Sequence, residues 1–171
     1  MLNKSMALIL TLLLLAKAGP VVAEEMAREG SGTGKVYWTG TFDVLPMGKE
    51  LVQMNYKGYG VQVTDTGKGL FHNAAGHVVG GLLGVKGVYE NDSGLITYTL
   101  PDGDQIFMTY KCSGTMGKSA KGTTTIVGGT GKFVGITGTG EFTRHSLRSP
   151  AKGAFASFAV TKVSWKLPEK E

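Results

Sequence analysis

The sequence predicts an all-β protein, an eight-stranded antiparallel β-barrel. Three observations carry that expectation. Glycine accounts for 27 of 171 residues, about twice its usual share. Beyond residue 23, no segment sustains a helical apolar period for three turns without a glycine interrupting it. Short runs of alternating polar and apolar residues recur instead, with turn signals between them.

The runs can be taken in chain order. In Lys35 to Val44 one parity is Val36, Trp38, Gly40, Phe42, Val44 and the other is Lys35, Tyr37, Thr39, Thr41, Asp43. The first set must face the core, because burying the second would strand a lysine and an aspartate. In Leu51 to Thr64 the apolar parity begins as Val52, Met54, Tyr56 and continues as Tyr59, Val61, Val63. A β-bulge at Lys57-Gly58 would produce that one-residue shift. A third strand is expected near 77–90, with a break at Gly80-Gly81 or Gly84, and Asn91-Asp92-Ser93 follows as a turn that also fits a glycosylation sequon. Strands 94–100 and 105–112 flank Pro101-Asp102-Gly103-Asp104, a strong hairpin signal. Their inward sets are Ile96, Tyr98, Leu100 and Ile106, Met108, Tyr110, Cys112. Strands 122–127 and 137–146 precede the last, 154–167, which ends with Val163, Trp165 and Leu167 inward. Its start, Ala154-Phe155-Ala156-Ser157-Phe158, is apolar on both faces, which suggests contact with another subunit. Closing eight antiparallel strands removes the exposed edges and leaves room for a filled core or one small ligand.

Residues 1–23 read as a secretory signal peptide. Lys4 precedes an apolar run from Met6 to Leu15, and Val21-Val22-Ala23 supplies compact residues for cleavage. The run is about half of what a membrane span needs, so no stable membrane anchor is expected. The mature chain is expected to be exported, periplasmic or extracellular. Residues 24–34 read as a flexible lead-in and 35–168 as a single barrel domain. Without Lys4 and Lys17 the 18 basic residues become 16, against 13 acidic ones, a net charge of +3. Those charges are scattered except for Arg144, Arg148 and Lys152, which read as a solvated loop, so no nucleic-acid partner is expected. The single cysteine, Cys112, leaves no internal disulfide and reads as a small buried residue.

The glycine-rich stretch Thr125 to Phe142 raises the question of a phosphate loop. That loop needs Gly, four residues, then Gly-Lys-Ser/Thr. Here Gly131-Lys132 is followed by Phe133, and Ile126 stands where the first glycine belongs. The dinucleotide fingerprint fails as well, with Val134 in place of its last glycine. A tight chain reversal remains, with Phe133 and Ile136 as apolar plugs.

Val127 to Phe142, "VGGTGKFVGITGTGEF", resembles the Gly-Gly-Thr-Gly-x-Phe signature of the allene oxide cyclase and dirigent barrel superfamily. It is similar above all to exported bacterial proteins with an allene oxide cyclase barrel-like domain. The resemblance implies an eight-stranded antiparallel barrel, often trimeric. The dirigent pattern has arginines soon after the Phe and just before the closing glycine. Here Val134 and Thr137 occupy those places, which argues against the dirigent role in radical coupling. The plant cyclases use an apolar barrel pocket with a few polar groups, and the resemblance assigns none of those groups to a residue of this chain.

The candidate barrel lining is Trp38, Met54, Tyr56, Tyr98, Met108, Tyr110 and Trp165. It would suit a small apolar ligand, or it could fill the barrel and leave no cavity. The inward positions contain no Asp, Glu or His, an objection to general acid–base catalysis. His72, His77 and His145 are too dispersed for a metal site, and no cofactor is expected. Three functions remain: binding of a small apolar molecule, an isomerase or cyclase of the allene oxide cyclase kind, or a packed interaction barrel.

Overall fold

The computed structural model describes residues 27–169. The expected signal peptide, 1–23, lies outside the described residues. Eight strands run β1 Glu29–Pro46, β2 Leu51–Thr64, β3 Ala74–Val85, β4 Val88–Thr99, β5 Gln105–Thr115, β6 Ala120–Gly129, β7 Thr137–Ser146 and β8 Ala154–Lys166. Each pairs antiparallel with the next, and β1 pairs with β8 to close the barrel. Among the described residues no helix is long and apolar enough to cross a membrane.

Alternation decides most of the core. Val36 and Trp38 are buried from β1, Ile96 and Tyr98 from β4, and Ile106, Met108, Tyr110 and Cys112 from β5. Inward glycines make room for the large rings. Opposite Trp38 lies Gly60, and a Cβ there would sit 2.6 Å from the indole; Gly76, beyond it on β3, is equally close. The glycine excess is therefore as much a packing device as a turn device: a small barrel holds several aromatic rings only if facing positions lack side chains.

Four expectations need correction. The lead-in is strand from Glu29 onward, not a flexible segment up to Gly34, because Gly30 and Gly32 pair with Trp165 and Val163 of β8 and leave space for the Trp165 ring. The bulge at Lys57-Gly58 is absent; β2 pairs in unbroken register with both neighbours. Gln62 therefore points inward, where it accepts from the Tyr98 hydroxyl at 3.1 Å and donates to Thr161 Oγ1 at 2.8 Å. Tyr59, Val61 and Val63 consequently face outward. A buried amide is tolerated once its hydrogen bonds are met. Val44 lies beyond the packed part of β1 and is exposed. Finally, β3 turns into β4 at Lys86-Gly87, both with positive φ, so Asn91-Asp92-Ser93 is strand rather than turn.

The two ends differ. At one end, residues 131–133 form a single 3-10 turn whose Phe133, with Ile136, is sealed at 1% exposure. Phe71, Leu100 and Leu167 are buried there too. The Pro101–Asp104 hairpin docks on that turn: Asp102 pairs with the Lys132 ammonium, and Asp104 accepts the Lys132 backbone N–H at 3.3 Å. The lysine of the glycine stretch thus has a structural partner. The other end is ringed by the hairpins at 47–50, 86–87, 116–119 and 147–153 and stays open.

Candidate ligand site

Five of the seven candidate residues come together. Trp38, Tyr56, Tyr98, Met108 and Tyr110 surround an interior cavity of about 70 Å³. Met54 lies at the open end, in the wall of a mouth pocket of about 300 Å³ with Leu82, Tyr89 and Met116. The two spaces share Tyr56, Phe142's neighbour Arg144, Phe155 and Ser157 as walls. Trp165 is apart from this group. Its ring meets Phe71 edge-on at 6.2 Å and borders a wide depression of about 520 Å³ at the plugged end. Trp38 pairs with Ser157 and Trp165 with Gly30, so the two tryptophans lie at different levels of the neighbouring strands β1 and β8.

Between mouth and interior stands a polar cluster. Asp92 is 0% exposed. The register of β4 against β5 shifts between Tyr89 and Asp92, and this bulge turns both residues inward although their numbers have opposite parity. Arg144 reaches them from β7, on the same face as Phe142. Its Nη2 donates to Asp92 Oδ2 at 2.7 Å and to Tyr89 Oη at 2.8 Å. The other carboxylate oxygen, Oδ1, accepts from the Tyr56 hydroxyl. The Tyr56 and Tyr110 hydroxyls are also in contact. Since the Tyr56 proton goes to Asp92, Tyr110 is the donor in that second bond. Gly94 leaves space here: a Cβ on it would sit 2.8 Å from Tyr110 Oη.

The electrostatics hold these groups as donors. Burial, then the adjacent Asp92 charge, raises the Tyr56 phenol far above its ordinary range. Burial also raises Tyr110, and raises Tyr89 against the pull of Arg144. For Arg144, burial disfavours the charge, but Asp92 and the surrounding hydroxyls outweigh it and the net shift is upward. The ion pair cancels its own charge, so the site is electrically neutral. Both Asp92 oxygens are engaged, and its carboxylate orients donors instead of standing free as a base. The Arg144 side chain is 22% exposed and borders the mouth. The arrangement can therefore hydrogen-bond a ligand oxygen, or steady negative charge growing on one.

Comparison with known proteins gives likenesses among solved structures only. No protein-family model matches the chain, and no match was found among curated proteins. The structure is similar to that of a pterocarpan synthase dirigent protein, at 13% identity and a TM-score of 0.29, covering 86% of this chain and 92% of that one. The closed eight-stranded barrel itself stands on its own strand pairing.

Asp92, Arg144 and Tyr89 are absent from the sequence-derived lining, and the expectation of no inward carboxylate is wrong. The signals were present. Counting back from Leu100 through Tyr98, Ile96 and Gly94 places Asp92 on the inward face. Counting on from Gly138 through Gly140 and Phe142 places Arg144 there. Both were obscured because a polar residue near a strand end looks like loop: Asp92 lies in a polar triplet and Arg144 near Ser149-Pro150.

Proposed function

We propose that this is an exported barrel protein that binds a small, mainly apolar molecule at its open end. The mouth pocket, walled by Met54, Leu82, Met116 and Phe155 and ending on the Arg144–Asp92 pair, carries the reading. Such a pocket combines apolar walls with a few convergent polar groups. Arg144 would donate to an oxygen of the ligand, and Asp92 and Tyr89 would hold the guanidinium in place.

A second reading, an isomerase or cyclase of the allene oxide cyclase kind, is favoured by the same cluster. A protonated Tyr56 and a fixed Arg144 suit charge that develops on an oxygen during ring closure. The apolar outer face supports self-association, as a trimer by family resemblance. There Phe158 stacks on His145 at 4.8 Å and meets Tyr37 at 6.1 Å, and Tyr59 stacks on His77 at 4.8 Å.

Native mass spectrometry of protein from its own host tests binding and subunit count together. The expected result is a retained small molecule, lost when Met54→Trp narrows the mouth. Protein that carries no adduct and takes up no neutral naphthylamine dye would refute the binding reading.

A further inference from the structure

Two buried side-chain polar atoms have no hydrogen-bond partner among the described residues, Trp165 Nε1 and Thr124 Oγ1, and only Thr124 lines the interior cavity. Thr124 lies on β6, where its register partners are Tyr110 on β5 and Gly140 on β7. It is 9% exposed and lines the interior cavity. Of the other polar side chains around that cavity, Gln62 is bonded to Tyr98 and Thr161, and Tyr56, Tyr110 and Arg144 belong to the cluster. Thr124 Oγ1 is buried and has no hydrogen-bond partner among the described residues. Its neighbour Gly140 leaves it room: a Cβ there would sit 2.7 Å from the hydroxyl oxygen.

An unmet buried hydroxyl destabilises a protein, whereas valine has the same shape without that cost. The hydroxyl also stands deeper than Arg144, in a cavity that shares walls with the mouth. Arg144 lines both the mouth and the interior cavity, whereas Thr124 lines the interior alone, so a ligand anchored on Arg144 and extending inward would bring its inner end to Thr124. Resting on the binding reading above, we propose that Thr124 is a specificity residue that pairs with an oxygen at the inner end of the ligand. The ligand class is then an apolar molecule bearing a hydroxyl or carbonyl oxygen at both ends, not at one.

Two measurements test this, and they fail independently. The first needs no ligand. Thr124→Val should raise the Tm of the purified protein by a few degrees, and Thr124→Ser should not. A lower Tm in Thr124→Val would mean that the hydroxyl already has a partner, and would overturn the proposal. The second uses α,ω-alkanediols of six to ten carbons against the matching 1-alkanols, titrated by the fluorescence of Trp38 at the cavity wall. The native protein should prefer some diol by roughly tenfold, the worth of one good hydrogen bond. Thr124→Val should lose that preference and Thr124→Ser keep it. Equal binding of diol and alcohol by the native protein would overturn the role of Thr124 and leave the binding site standing. Failure of both series to bind would remove the site and the role of Thr124 together.

Discussion

The two ends of the barrel solve the same problem in opposite ways. A barrel of this size must fill or cap its openings to keep water from the core. The plugged end does it with hydrocarbon: Phe133 and Ile136 are driven in from the 131–136 turn, backed by Phe71, Leu100 and Leu167. The open end does it with a buried ion pair and three phenols, and keeps a pocket above them. Hydrocarbon is the more stabilising choice per residue, because a buried ion pair seldom repays its desolvation. A polar plug facing a pocket therefore points to recognition, and an apolar plug to stability.

Substitutions at each end can break this contrast. The largest effect is expected at the plug. Phe133→Ala removes a ring at 1% exposure and should cost about 3–5 kcal/mol in urea unfolding, without changing what the mouth binds. If it costs under 1 kcal/mol, the turn is not a structural plug.

At the mouth, Arg144→Met alone should cost about 3 kcal/mol, because it leaves Asp92 charged, buried and unpaired. Adding Asp92→Leu should recover most of that loss while abolishing ligand retention. A double variant no more stable than the single one would show that the pair, not its rupture, sets the stability. A double variant that still binds would place recognition elsewhere.

The smallest effect at neutral pH, and a growing one above it, should come from the tyrosines. Tyr56, Tyr98 and Tyr110 are all raised above the ordinary phenol value of 10.0, chiefly by burial. In the unfolded chain they release protons near that value, whereas in the barrel they keep them. Their contribution is thus fully present below pH 10 and is lost as the pH rises beyond it. Thermal unfolding between pH 8 and 12 should show the decline, and Tyr98→Phe should shallow it by about one proton, or about 1.4 kcal/mol per pH unit. An unchanged slope would mean that Tyr98 is open to solvent in the folded protein.

Much of this was legible along the chain, because strand alternation and turn chemistry are local. Val36 and Trp38 could be set inward by noting what their neighbours would strand. Phe133 and Ile136 could be named as plugs once the phosphate-loop spacing failed. Tyr59, Val61 and Val63 are apolar and yet face outward, against the usual preference of such side chains for the core. The pairing of β2 with both neighbours overrode that preference, and Gln62 took the inward place with two hydrogen-bond partners.

By itself, the sequence determined that the chain forms strands, where most of them turn, and which aromatics can share an interior with so many glycines. Tertiary structure alone decided that a carboxylate and a guanidinium belong in that interior. Asp92 and Arg144 are 52 residues apart, and neither is tolerable inside without the other. Their burial depends on a bulge in β4 and on the order in which the barrel closes, and both are settled by pairing between strands distant in the chain. Periodicity within a strand tells which side chains share a face. The cost of burying a charge depends on what stands across the barrel from it, and that partner is brought there only when the sheet closes.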